Sequence, residues 1–287
     1  MLLIIGLVVV FGCVVGGFVA LGGHLSGLWQ PYEIVIVGGA GIGGLIMASS
    51  KETLAAIPRA CGDLFRGPKY TKEDYMDLMG LLYVTFRTMK VKGNLAIESH
   101  VENPDNSSIF SQFPSFLKNE TAVFFLCDYL RMMTMGTDDP HQIEELMSEE
   151  ITTQKEELGE IPAALQQMAD AFPGLGICAA VLGVIHTMDY ITEPPAVIGG
   201  LIAAALVGTL LGVLLCYGLF GPMAAGMIGI YHRDIKYFEC IKAGLIAYAH
   251  GSPPAIAVES ARKIIFEDTR PTFQEVEQSV ASLQTAD

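Results

Sequence analysis

The sequence predicts an all-α integral membrane protein, with four transmembrane helices in two hairpins and a mostly helical cytoplasmic domain. Hydrophobic residues make up 51% of the 287 residues and charged residues only 17%, which is unusual for a soluble domain. All 17 Lys and Arg residues lie in two blocks, 51–155 and 233–270. Spanning helices need about 20 apolar residues, and Lys and Arg stay on the cytoplasmic side of a membrane. The apolar segments outside the two blocks are therefore the predicted spans.

The four predicted spans cover about 2–21, 34–50, 171–188 and 197–220. A signal peptide is the alternative for the first span, but this segment has no basic start and a second apolar run follows it closely. The connection at 189–196 lacks Lys and Arg and is expected outside the membrane. Four spans then place both termini in the cytoplasm.

The spans divide the chain into four predicted parts. These are transmembrane helices 1 and 2 (1–50), a cytoplasmic helical domain (51–170), transmembrane helices 3 and 4 (171–222) and C-terminal cytoplasmic helices (223–287). In the cytoplasmic parts, Thr71 and Asp139 are predicted helix caps, with Pro140 in the first turn of the second helix. Thr272 and Glu275 have the spacing of a capping box that opens the last helix.

Small side chains recur on one face of each helix in the second predicted hairpin. They are Gly176, Ala179, Ala180 and Gly183 in span three, and Gly200, Ala204, Gly208, Gly212 and Cys216 in span four. Faces of this kind let helix backbones approach closely in lipid. Packing within the chain explains them, and so does contact with a partner or with a second copy of the chain.

Ionisable residues are expected to be absent from the hydrocarbon part of every span. Glu33, Asp189 and Glu193 all flank the predicted spans, and His186 lies near an outer end. Proton relays and ion carriers normally need a buried ionisable group. The sequence therefore predicts that, if this chain works with ions, another subunit supplies the titrating group.

Several other classes of protein are disfavoured. A net charge of −14 disfavours nucleic acid binding, which needs a basic surface. The six Cys residues are scattered without a CxxC pair and are expected to be reduced hydrophobic residues. Gly39, Gly41 and Gly44 match a dinucleotide-binding fingerprint, but that motif needs a strand before it and a soluble βαβ unit around it. We therefore expect no metal, no cofactor and no enzymatic activity.

Two prolines stand at the inner edges of the second hairpin, Pro173 where span three begins and Pro222 where span four ends. Proline lacks the N–H that a helix needs and bends the helix axis. A plain helix boundary explains both residues. A hinge in a continuous helix, coupling the membrane helices to the cytoplasmic part, explains them as well.

The order of these features resembles the motility protein A (MotA) family, the A subunits of bacterial flagellar stators. The resemblance extends over essentially the whole chain. The segments that carry it are Gly22–Gly23, Gly39–Gly43, Lys69–Lys72, Ile97–Glu98, Val101–Pro104, Cys127–Arg131, Glu149–Glu150, Phe172–His186, Val207–Gly212, Tyr217–Gly218, Pro222 and Pro253–Glu259. Together these segments are specific, although no single one is.

The resemblance implies a multi-pass protein of the bacterial inner membrane that generates torque for motility. In this family a ring of five A subunits surrounds a dimer of B subunits, whose transmembrane aspartate carries the ion. Protonation of that aspartate is expected to change its packing against spans three and four. Pro173 and Pro222 would pass the change to the cytoplasmic helices, which push on the rotor switch ring.

The resemblance also implies roles for individual residues. The basic residue and the glutamate that face the rotor in this family correspond to Lys90 and Glu98, and Arg87 and Lys92 are close enough in sequence to share the role. Such exposed charges act mainly by long-range complementarity.

Three residues of the second hairpin are expected to line the ion pathway: Ala180, Thr209 and Tyr217. Sodium-driven relatives carry a threonine where Ala180 stands, whereas Thr209 is retained. The loss of one polar oxygen indicates H⁺ as the translocated ion.

The alternative is an energiser of outer-membrane processes of the related TolQ/ExbB type. Those proteins resemble this chain in the last two spans but usually have three spans and an external N-terminus. Two predicted spans before residue 51 favour the stator subunit.

Overall fold

The computed structural model describes residues 2–136 and 139–283, and all regular structure in these ranges is helical. The helices are α1 (Leu2–Ala20), α2 (Leu25–Leu28), α3 (Pro31–Ile34), α4 (Ala40–Ala48), α5 (Lys51–Arg66), α6 (Lys72–Lys92), α7 (Glu98–Glu102), α8 (Pro114–Leu117), α9 (Glu120–Thr134), α10 (Pro140–Met188), α11 (Pro195–Leu215), α12 (Gly221–Ala249), α13 (Pro254–Ile264) and α14 (Phe273–Ala281). The predicted all-α class is confirmed.

Four helical stretches are long and apolar enough to cross a membrane, as predicted. They are Leu3–Ala20, Leu25–Ala48, Pro140–Met188 and Pro195–Ala249. Two of them contain a π-helical segment: Val35–Gly39 joins α3 to α4, and Cys216–Phe220 joins α11 to α12. Within the second stretch, Trp29 and Gln30 separate α2 from α3. The helical run that continues to Ala48 begins at Pro31, three residues before the predicted start at 34, and a proline favours helix formation at this first position.

The chain divides into two compact units, a first unit of residues up to Gly67 with Glu157–Ile230, and a second unit of Pro68–Glu156 with the residues from Tyr231 onward. The first unit holds α1 to α5, α11 and parts of α10 and α12. The second holds α6 to α9, α13, α14 and the remaining parts of α10 and α12. Where the membrane surfaces cut the long helices stays a prediction.

Helix α6 is the central helix of the second unit. Its side chains Leu78, Leu82 and Phe86 are fully buried, and it packs against α13 and α14. Next to its start, the ring of Tyr70 stacks on that of Tyr237 with 3.9 Å between centroids. These contacts fix α6 in its unit, so that the charged residues near its C-terminus are presented by a rigid support.

The predicted helix caps of the second unit are confirmed. Thr71 and Asp74 form a capping box at the start of α6, and the backbone N–H of His141 donates to Asp139 Oδ1 over 3.0 Å at the start of α10. The capping box of α14 joins Thr272 and Glu275. Lys72 donates to Glu275 over 2.7 Å, and this bond, with those from Thr272, lowers the pKa of Glu275 to about 2.

Candidate functional site

Helices α10 and α11 touch backbone to backbone in the first unit. A Cβ on Gly176 would lie only 2.8 Å from the carbonyl oxygen of Gly208, and a Cβ on Gly212 would meet the carbonyl oxygen of Phe172. A Cβ on Gly183 would meet Ala205. Packing within the chain therefore accounts for these small residues, one of the two explanations that the sequence left open.

Gly200 belongs to the same predicted small face but has a different environment. Among the described residues, no atom from outside its own turn of helix would lie within 4 Å of a Cβ added there, and the residue is exposed in the first unit. Contact with a partner or a second copy stays a prediction for this outer part of the face.

Glu33 lies in a different place from the one that the sequence predicts, which is the flank of a span. It lies within the apolar stretch Leu25–Ala48, and only 8% of its surface is exposed. A Cβ on Gly208 would lie 2.5 Å from Glu33 Oε2, and a Cβ on Gly183 would lie 3.7 Å from Oε1. The carboxylate thus occupies a notch that exists because both positions lack a side chain. The difference arises because the helix that carries Glu33 begins at Pro31, three residues before the predicted start of the span.

The predicted ion-pathway residues lie on or after the same helix pair. Thr209 Oγ1 donates to the carbonyl oxygen of Gly176 over 3.3 Å, so its hydroxyl is bonded within the chain. Ala180 is half-buried on α10, next to Ala179, whose methyl group faces Gly208. Tyr217 is 73% exposed, in the π-helical segment. The structure places these residues but does not test their role.

Pro173 and Pro222 both lie inside continuous helical stretches, α10 and the run from α11 to α12. The plain-boundary explanation is therefore excluded. Before Pro222 the helix widens, because the N–H of Gly221 donates to Cys216 O, five residues back. Proline and π-helical turns are the usual causes of a bent helix. The hinge itself stays a prediction.

Phe172, the residue before Pro173, packs against other helical segments of the first unit. Its side chain is buried, would contact a Cβ on Gly41, and stacks on Phe220 with 5.3 Å between ring centroids. Sequence reasoning missed Pro162, which is also inside α10 and is buried. The available signal was its position in the sequence, since Pro162 lies more than one turn inside a predicted helix, where a proline is unusual.

The glycine-rich segment at 38–44 is helical instead of the strand and turn that a dinucleotide fingerprint requires. Gly41 allows the close approach of Phe172. In the described ranges, no group of three or more His, Cys, Asp or Glu side chains is arranged to hold a metal ion.

The second candidate surface is the C-terminal end of α6 and the turn after it. Arg87 and Lys90 are exposed on α6, and Glu98 is exposed at the first position of α7. None of the three has an ion pair or hydrogen-bond partner within residues 2–136 and 139–283. Gly93, with φ +88°, ends α6 and allows the chain to reverse before Glu98. The cations of Arg87 and Lys90 thus precede the turn in the chain, and the carboxylate of Glu98 follows it.

His100 adds no positive charge to this surface near neutral pH. Burial, and secondarily the charge of Lys92, lowers the pKa of His100. Its Nδ1 lies 2.9 Å from Ser107 Oγ. The cations of this surface are therefore the Lys and Arg side chains.

Comparison with known proteins gives consistent matches over the chain. The family described as Motility protein A N-terminal matches residues 4–93, and the MotA/TolQ/ExbB proton channel family matches residues 118–239. Motility protein A of Salmonella typhimurium is 41% identical over 285 residues, which are 99% of this chain and 96% of that protein.

Two solved structures share the fold. The structure of C. jejuni MotAB aligns with a TM-score of 0.75 and 18% identity, over 93% of this chain and 96% of that one. The flagellar MotAB stator complex from Bacillus subtilis aligns with a TM-score of 0.70 and 24% identity, over 89% and 92%. Given the full-length similarity to the curated relative and the two family matches, this chain belongs to the motility protein A family, within the MotA/TolQ/ExbB proton channel family.

Proposed function

We propose that this chain is the A subunit of a flagellar stator, which forms a proton channel with a B subunit and converts ion flow into torque on the rotor switch ring. The observation that carries the proposal is the 41% identity to a motility protein A over 99% of the chain. The solved relative from Bacillus subtilis is itself a stator complex with both subunits. The chain acts as a channel and motor component without chemical catalysis.

The B subunit supplies the aspartate that carries the ion across the membrane. Apart from Glu33, the apolar segments 3–20, 25–48, 171–188 and 195–220 contain no Asp, Glu, Lys or Arg. Five copies of the chain surround a B dimer in the bacterial inner membrane, with both termini in the cytoplasm. The chain's contribution to the channel is the closely packed pair α10 and α11, with Ala180, Thr209 and Tyr217 towards the pathway.

The proposed ion is H⁺, and the side chain at position 180 supports this choice. A sodium site needs several oxygen ligands, since alkali and alkaline-earth cations bind oxygen. Position 180 offers only a methyl group, which leaves the hydroxyl oxygen of Thr209 as the one side-chain oxygen of these two positions. A proton needs only the carboxylate of the B subunit.

Torque is transmitted through the two prolines and the charged surface at the end of α6. When the B aspartate is protonated, its packing against α10 and α11 changes, and Pro173 and Pro222 bend the long helices that continue into the second unit. Arg87, Lys90 and Glu98 meet complementary charges on the switch ring. Because their charges are not neutralised within the described chain, they are available for a partner.

Reversal of either charge is expected to slow swimming. Lys90→Glu and Glu98→Lys each turn an attraction to the rotor into a repulsion. Neither should stop rotation, because a single exposed ion pair contributes little free energy. The measurement is the rotation speed of tethered cells of a deletion strain that expresses each variant.

Lys118→Glu is the matched control for the charge reversal. Lys118 is exposed in the same unit and has no ion pair with a described residue. The same change there should leave speed unaltered. Normal speed in both Lys90→Glu and Glu98→Lys cells would contradict the assignment of this surface to the rotor.

Co-purification tests the proposed function most simply. The tagged chain is expressed with the B subunit and purified in mild detergent, and the masses of both chains and of the intact complex are determined. We expect the B subunit to co-purify, in a complex of five copies to two, and the deletion strain to be non-motile. A deletion strain that swims would overturn the proposal. Lost siderophore uptake with normal motility would instead support an energiser of the TolQ/ExbB type.

A further inference from the structure

Glu33 is a buried carboxylate that the proposed ion path does not use. It is more than nine-tenths buried, and its Oε2 has no hydrogen-bond partner in the described part of the chain. The notch around it is formed by Gly183 on α10 and by Ala205 and Gly208 on α11. Buried polar groups are normally paired, so an orphaned carboxylate oxygen indicates a role.

The hydroxyl groups nearest in sequence to the notch residues already donate hydrogen bonds to backbone carbonyl oxygens. Thr187 Oγ1 donates to the carbonyl oxygen of Gly183 over 2.8 Å, and Thr209 Oγ1 donates to that of Gly176. Neither is therefore available as a donor to Glu33. No buried base faces the carboxylate from α10 or α11, where the titratable groups within 171–188 and 195–215 are the exposed Cys178 and His186.

The notch lies well inside the helices that form it. Gly208 is about 20 Å along α11 from its start at Pro195, and Gly183 is about 8 Å before the end of α10 at Met188, at 1.5 Å per residue. The exposed charges near that end, Asp189 and Glu193, lie in the connection between the helices. An ionised carboxylate that is buried against apolar helices without a partner is costly, whereas its protonated form is far less so.

We propose that Glu33 is a proton-binding site of this chain, separate from the aspartate of the B subunit. A proton from solvent binds a lone pair of Oε2, forming one O–H bond and giving a neutral carboxyl that fits the notch. Release breaks the same bond and returns the proton to water or to the ion path. The segments 171–188 and 195–215 of the helix pair contain no Asp, Glu, Lys or Arg, so the protonation of Glu33 decides whether the notch holds a charge.

Occupancy of this site bears directly on the helix pair that the channel uses. Gly208 of the notch immediately precedes Thr209, and Ala179, whose methyl group faces Gly208, immediately precedes Ala180. Thr209 and Ala180 are residues assigned to the pathway. A charge that leaves or enters the notch changes the packing of α10 on α11. The coupling to ion flow rests on the proposed function, whereas proton binding itself does not.

Infrared difference spectroscopy tests the site directly. The full chain, purified with its B subunit in lipid nanodiscs, is titrated between acidic and alkaline pH, and the carbonyl band of protonated carboxyl groups is recorded in H₂O and D₂O. We expect a titrating band, shifted by D₂O, that is lost in Glu33→Gln. Glu193→Gln, the same change at an exposed position, should leave that band intact, and Glu33→Asp should keep a titrating band.

Motility provides the second readout. Glu33→Gln keeps the shape of the side chain but cannot titrate, so a merely structural role predicts unchanged speed at every external pH. We expect a slower motor whose speed depends less on external pH than that of the wild type. Identical carboxyl spectra of wild type and Glu33→Gln would overturn the proton-binding site, and identical speed profiles would overturn its coupling to ion flow. A motile deletion strain would remove the proposed function and leave the spectroscopic test of Glu33 unaffected.

Discussion

Gly212→Ala is expected to separate α10 from α11 and to abolish swimming. The added methyl group would meet the carbonyl oxygen of Phe172, and would lie 3.0 Å from Gly176 Cα. These are backbone atoms, which cannot rotate away as a side chain does, so the helices themselves must move. Overpacking of this kind costs about 1–3 kcal/mol. The measurements are the thermal unfolding of the purified complex and the motility of the complemented deletion strain.

Gly199→Ala is the matched control on the same helix, because Gly199 lies outside the face of small residues. The change is identical, but among the described residues the new Cβ would meet no atom from outside its own turn of helix within 4 Å. Since alanine favours a helix over glycine by about 1 kcal/mol, this variant should be as stable as the wild type or slightly more stable. If Gly212→Ala unfolds at the wild-type temperature and supports normal swimming, the close contact of α10 and α11 is absent from the working protein.

Pro173→Ala is expected to leave assembly intact while it slows or stops rotation. Proline within a helix costs about 3 kcal/mol, because it lacks an N–H and clashes with the preceding turn. Alanine should therefore straighten and stabilise α10. The expected combination is an unchanged or higher unfolding temperature, normal co-purification with the B subunit and lower rotation speed.

Pro58→Ala is the control, since it tests whether the gain in helix stability from replacing a proline is enough by itself to lower the rotation speed. Pro58 also lies inside a helix, α5, and is exposed. Its replacement should give the same gain in helix stability without a change in speed. Normal rotation of Pro173→Ala cells would remove the hinge from the mechanism.

The features that sequence reasoning predicted well are those that depend on residues close together in the chain. The capping boxes at Thr71 and Thr272 need only a hydroxyl and an acid three residues later. The four spans follow from runs of apolar residues, and the glycine contacts from their spacing on one helix face. Such signals survive without knowledge of the tertiary structure.

The buried carboxylate could not be predicted in the same way. In the sequence, Glu33 flanks the predicted span, because the uninterrupted apolar run starts at Ile34. Its burial depends on two glycines more than 140 residues away in sequence, and only packing reveals that they leave room for it. Pro31, two residues earlier, was the available signal that the helix already begins there.

The behaviour of the two prolines likewise needed the structure. A proline in the sequence is equally consistent with the end of a helix and with a bend inside one. The continuation of α10 through Pro173, and the π-helical segment before Pro222, depend on how neighbouring residues such as Phe172 and Phe220 pack. The roles of Arg87, Lys90 and Glu98 depend on a partner that is outside this chain.

Proton flux through reconstituted protein tests the central claim, that the chain passes ions only together with a B subunit. The chain alone, and the complex with the B subunit, are placed in liposomes that contain a pH-sensitive dye, and a membrane potential is applied. We expect proton flux in vesicles with the complex and none above the protein-free background with the chain alone. Steady flux through the chain alone would contradict the account.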